Sequence, residues 1–141
     1  MNAENLETYK NALNLLNNYD LNQVKRAVYL DIIGQIKQIR QLDFINYAVS
    51  KKLTEHIKQI RGTITQLTRQ NKKIETIINR VEGDTERGVI TDRIINGMQW
   101  EAIADKYAYC EKQAYRIYYK GLEDIETQLK KGKPREKGPL I

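Results

Sequence analysis

The residue types that carry most enzyme chemistry are scarce in this chain. It has one cysteine, Cys110, and one histidine, His56, with no second thiol or imidazole to accompany either. A structural metal site needs several such ligands, and a nucleophile needs a base within hydrogen-bond reach. Cys110 is therefore read as a small, half-buried helix cap, and His56 as one position on a basic helix. Glu101 and Asp105 stand one helical turn apart, and the neighbouring Lys106 accounts for them. A hydrolytic carboxylate pair would need a cleft, and this chain has no sheet or loop system to build one. Glycine-rich phosphate loops are missing as well. These readings predict a protein that is not an enzyme and that uses no metal or cofactor.

What remains is a chemistry of surface donors. From Cys110 to Leu122 the sequence reads CEKQAYRIYYKGL. With Ala114, Ile117 and Gly121 facing inward on a helix, Lys112, Gln113, Arg116, Tyr119 and Lys120 point largely outward, and Tyr115 lies at the edge. Arg and Lys can donate to guanine O6 and N7, and Gln can pair with adenine N6 and N7. Tyr119 suits a thymine methyl or a phosphate, and Lys120, further along, suits the phosphate backbone. Three cations, an amide and two aromatics at the start of a helix are the equipment for entering a major groove.

Such a helix has to be held by others. With Trp100 as its first position, a twenty-residue helix-turn-helix pattern places apolar residues at Trp100, Ile103, Tyr107, Tyr109, Ala114 and Ile117, and small Ala104 where the two helices cross. Tyr107 to Cys110 forms the short connection, with Ala108 where the general motif prefers glycine. The second helix continues its core stripe through Tyr118, Gly121, Leu122, Ile125 and Leu129. A supporting helix is predicted over 85–96, ended by Gly97. Gly83 suits a left-handed C′ position closing the preceding helix, and Asp84 an N-cap opening this one.

Resemblance to known families is carried by this same stretch. Gly97, Trp100-Glu101, Ile103-Ala104, Tyr107 or Tyr109, the run Gln113-Ala114-Tyr115-Arg116-Ile117, and Gly121-Leu122 resemble the helix-turn-helix of sigma-factor region four. They are more closely similar to small phage proteins of the ArpU and RinA late-gene regulator type. The resemblance covers roughly 40 of the 141 residues. Cys110 stands where the family usually has serine, and Gly121 where it usually has alanine. The resemblance implies sequence-specific binding to double-stranded DNA, activation of phage late genes and contact with host RNA polymerase.

The residues before this module read as helix. Only Gly34 and Gly62 interrupt the first 82 positions, which have no proline. Three helices are predicted. The first covers 3–17, with Leu6, Leu13 and Leu16 inward, and ends in a turn at Asn17-Asn18-Tyr19-Asp20, where Asp20 caps the next. The second covers 21–42, with Val24, Val28, Ile32, Ile36 and Ile39 on one stripe. The third covers 44–82. In it Leu53, Ile57, Ile60, Ile64, Leu67, Asn71, Ile74, Ile78 and Val81 recur in steps of four and three, a heptad seam with one polar a position, Asn71. That seam pairs either with the preceding helix as an intrachain hairpin, the favoured arrangement, or with a second copy in a homodimer.

Charge agrees with a polyanionic partner. The net charge is +6, concentrated in three blocks. Lys51 to Arg80 carries net +6, Lys106 to Lys120 net +3, and Lys130 to Ile141 net +4. The first block reads equally well as a solvated helix face. No run of about 18 apolar residues is present, so no membrane span is predicted, and MNAENLETYK is unlike a signal peptide. A cytoplasmic location is expected. The predicted fold is all-α: an N-terminal long-helix hairpin or coiled coil over 1–82, a helix-turn-helix module over 83–129 and a basic flexible tail over 130–141. Two other readings stay open. One is a helical protein-interaction module whose helix-turn-helix binds no DNA. The other is a small packaging-terminase-like DNA-binding subunit, although there the helix-turn-helix comes first.

Overall fold

The computed structural model describes residues 7–137, with side chains for 7–130, and the described residues are all-α. Its elements are α1 (Lys10–Arg40), α2 (Tyr47–Asn79), α3 (Asp84–Ile90), a π-helical turn (Thr91–Ile95), α4 (Trp100–Tyr107) and α5 (Glu111–Lys137). Contacts group the chain into two units, 19–72 and the residues on either side of it, rather than at the expected break after Glu82.

The unit 19–72 is the two-helix hairpin expected as one alternative for the heptad seam. On α2 the seam is used within the chain: Ile57, Leu67 and Asn71 are buried, and Leu53, Ile60 and Ile64 half-buried. Asn71 is satisfied across the hairpin. Its Oδ1 accepts from Asn22 Nδ2 at 2.9 Å, and its Nδ2 donates to the Tyr19 carbonyl at 3.2 Å. A buried amide with matched partners at one level fixes the register of the pair. α2 begins at Tyr47 and not at Phe44, because the Asn46 side chain caps it by accepting from Val49 N at 2.9 Å.

Two expectations for α1 are corrected. There is no turn at 17–20, and Asp20 caps nothing, since the helix runs through from Lys10 to Arg40. Asn and Asp weaken a helix by only about 0.7 kcal/mol each, and burial of Leu16 and Tyr19 on one face outweighs that. The apolar stripe is also not the buried one. α1 meets α2 through Tyr19, Asn22, Arg26, Tyr29, Ile33 and Ile36, whereas Val24, Val28 and Ile39 are exposed.

The other unit is built around α5. Ala114, Ile117, Tyr118, Gly121, Leu122 and Ile125 are buried as expected, with Leu129 half-buried. They pack with Val89, Ile90, Ile103 and Ala104, with Ala12 and Leu16 of early α1, and with Ile74, Ile78 and Val81. Buried Glu126 accepts from Ala12 N and Asn11 Nδ2, both at 2.9 Å, and so supplies partners at the start of α1 that no earlier turn provides. Gln128 Nε2 donates to the Ile77 carbonyl at 3.2 Å near the end of α2, which stops at Asn79 and not at Glu82.

Gly83 is extended (φ −73°) and is itself the N-cap of α3, so neither its left-handed C′ role nor the N-cap role of Asp84 holds. Asp84 begins the helix, where a carboxylate favours the positive end of the dipole. The supporting helix stretches to a π turn at Thr91–Ile95, closed by Asn96 N donating to the Thr91 carbonyl at 3.0 Å. Gly97 then takes the left-handed conformation (φ +68°). α5 continues to Lys137, through the first residues of the expected tail, and 138–141 lie outside the described residues together with Leu6.

Candidate nucleic-acid interface

The turn between α4 and α5 decides how the candidate face is presented. Ala108 is left-handed (φ 60°, ψ 40°). Its N–H reaches the Asp105 carbonyl at 3.2 Å, and Tyr109 N reaches the Ala104 carbonyl at 2.8 Å. This pair of bonds is a Schellman closure with alanine at the position that glycine occupies most cheaply. Cys110 follows, and its carbonyl accepts from Gln113 N and Ala114 N, both at 3.1 Å. Cys110 is exposed and not half-buried, so its thiol adds little to the cap.

α5 crosses α3 closely behind the candidate face. A Cβ built on Gly121 would stand 2.3 Å from Ile90 Cδ1 and 3.1 Å from its Cγ1. Ile90 is fully buried. Glycine is required there because there is no room for a methyl group, which explains the departure from the alanine of the resembling families.

Sequence reasoning did not single out the residue that ties the supporting segment to α4. Asp92, 3% exposed, sits in the π turn. Its carboxylate accepts from Lys106 Nζ at 2.8 Å, Tyr107 OH at 2.8 Å and Asn96 Nδ2 at 2.9 Å. Burial pushes its pKa up, but the three donors and the Lys106 charge together hold it below the ordinary aspartate value. Tyr107 is pushed up to about 12, first by burial and then by the Asp92 carboxylate, and it remains a donor. The available signal was a lone acid inside the apolar run from Val89 to Ile95.

The six candidate residues fall as follows. Lys112, Arg116 and Lys120 are exposed and make no ion pair with another described residue. Spaced by four along α5, they form one cationic row about 12 Å long. Gln113 is half-buried and lines a groove of 360 Å³ together with Tyr9, Glu86, Arg116, Tyr119 and Glu123. Tyr115 is 36% exposed, with its ring 4.6 Å from that of Trp100. Tyr119 is half-buried and stacked on Tyr9 at 6.0 Å, and burial raises its pKa. The structure thus brings the three cations and Tyr115 onto one accessible face and sets Gln113 and Tyr119 at its margin.

Trp100, expected in the core, is half-buried: Tyr118 meets it edge-on at 5.0 Å, and the Arg93 guanidinium lies 5.0 Å over its ring. Tyr107 and Tyr109, also expected in the core, are half-buried. Tyr118 is buried and pushed up to about 12 by that burial.

No family model matches the chain, and neither does any curated protein or solved structure. Among the described residues no helix is long and apolar enough to cross a membrane, and no group of three His, Cys, Asp or Glu is placed to hold a metal ion.

Proposed function

We propose that this chain is a sequence-specific DNA-binding regulator of transcription that reads the major groove with the first three turns of α5. The observation that carries the reading is the row of Lys112, Arg116 and Lys120. These cations are exposed, have no acidic partner among the described residues, and stand on a helix supported from behind by α3 and α4. Arg116, in the middle of the row, is the base-reading residue, and Lys112 and Lys120 hold phosphates. The resemblance to late-gene regulators supports an activator role in a phage-infected cell, with host RNA polymerase as the protein partner.

Selection of bound duplexes from a random library by the full chain, followed by titration at several salt concentrations, tests this. The chain enriches one sequence, and its affinity falls linearly in log salt. Arg116→Ala narrows the gap between the selected duplex and a scrambled one by about 1–3 kcal/mol. Lys120→Ala instead weakens both duplexes alike and lowers the salt slope by about 0.9. A wild type that enriches nothing, or an Arg116→Ala variant with full discrimination, overturns the proposal.

A further inference from the structure

α1 is apolar on two opposite faces. One is covered by α2 through Tyr19, Ile33 and Ile36. The other bears Leu21, Val24, Val28, Ile32 and Ile39, of which Leu21, Val24, Val28 and Ile39 are 43–54% exposed and Ile32 is half-buried. With Gln35 between the last two, these residues step by three, four, four, three and four. That is the spacing of a helix-pairing stripe, lying opposite the face already used. A helix apolar on both sides belongs inside an assembly.

We infer that this stripe pairs with the same stripe of a second copy, in parallel and in register, so that the protein is a dimer joined along α1. Three observations choose that occupant. The stripe leaves apolar surface on the order of 500 Å² per copy, or about 1,000 Å² for two, which reaches the size of a specific interface. Gln35 would be stranded against an apolar foreign helix, whereas a second Gln35 at the same level donates and accepts in return. Asp20 and Lys25 flank the stripe on opposite sides, at g and e positions when Leu21 is a and Val24 is d. Neither makes an ion pair with another described residue. A parallel copy places each Asp20 against the other's Lys25. An antiparallel copy would instead bring Asp31 towards Asp31.

The pairing does not depend on the DNA-binding reading, and the test contains no DNA. Sedimentation equilibrium of the full chain at micromolar concentration gives twice the 16.5 kDa chain mass. Val28→Glu gives a single chain mass with wild-type helicity, while Val49→Glu, an equally exposed valine on α2, leaves the dimer intact. In a Cys110→Ser background, Val28→Cys forms an interchain disulfide on mild oxidation, as only the parallel in-register pairing allows, because an antiparallel one sets Val28 against Gln35. A single-chain wild type overturns the inference, and so does one whose stripe binds a different protein instead. A dimer that survives Val28→Glu places the interface elsewhere and overturns it too. A dimer in which Val28→Cys does not cross-link overturns the parallel register.

Discussion

Asp92→Asn keeps the size of the side chain and removes only its charge, which makes it a clean probe of what holds the helix-turn-helix together. Three donors converge on the carboxylate, from Lys106, Tyr107 and Asn96. Hydrogen bonds to an ionised group contribute about 1.5–3 kcal/mol each in buried surroundings. The Lys106 side chain is 51% exposed, so its share falls to under about 1 kcal/mol. An asparagine oxygen still accepts from one donor, while its amide N–H₂ is turned against another. The net loss is about 2 kcal/mol, which for a module of this size lowers the melting midpoint by roughly 10 °C. Trp100, the only tryptophan, lies in this unit, and its fluorescence reports the transition. The pH dependence supplies the second check. The folded pKa of Asp92 lies below its unfolded value, so its contribution is complete above the ordinary aspartate value and is lost as pH falls through the folded one. The difference between wild type and variant is therefore full at neutral pH and closes in acid. A variant that melts with the wild type at neutral pH, or a gap that persists unchanged into strong acid, would refute the assignment of Asp92 as the tie between the π turn and α4.

Two further predictions concern other places in the fold. Ala108→Gly relieves the left-handed alanine and raises the midpoint by the equivalent of about 0.5–1 kcal/mol, read by the same Trp100 melt, because the Schellman closure needs no side chain there. Asn71→Leu strands buried Asn22 and costs the hairpin about 1–3 kcal/mol. The Asn22→Leu, Asn71→Leu double variant recovers most of that in urea unfolding followed by far-ultraviolet dichroism, and a double variant no better than the single one would show that the amides do not act as a pair.

How far the sequence could be read differed from element to element. The inward line of α5 and the seam of α2 were legible because one apolar stripe at helical spacing stands against polar neighbours. α1 was not legible in the same way, because it carries two such lines. Periodicity singled out Val24, Val28 and Ile39, but α2 packs against Tyr19, Asn22 and Ile33, a line diluted by amides and an arginine. Asn17 to Asp20 looked like a turn by local preference, and burial of Leu16 and Tyr19 from outside the segment reversed it. The partners of Asp92 lie 14 and 15 residues away, beyond the reach of any local pattern. Gly121 read as a small propensity defect because its reason is a side chain on another helix.

That last contact bears on recognition as well as on stability. On the proposed reading, discrimination depends on the direction in which Arg116 points, hence on the rotation of α5 about its own axis. Ala114 and Ile117 set that rotation at one end, and the Gly121–Ile90 crossing sets it at the other. Gly121→Ala gains up to about 1 kcal/mol of helix propensity. It also forces a methyl into space already filled by Ile90, and overpacking of this kind costs about 1–3 kcal/mol. Whatever strain the core does not absorb turns or lifts α5, and a bidentate contact tolerates a displacement of only about 0.5 Å. Gly121→Ala is therefore expected to destabilise the fold and also to blunt base discrimination, although residue 121 faces away from the duplex. Adding Ile90→Val, which shortens the obstructing side chain, restores both together. Restored stability with discrimination still lost would mean that the crossing does not set the direction of Arg116.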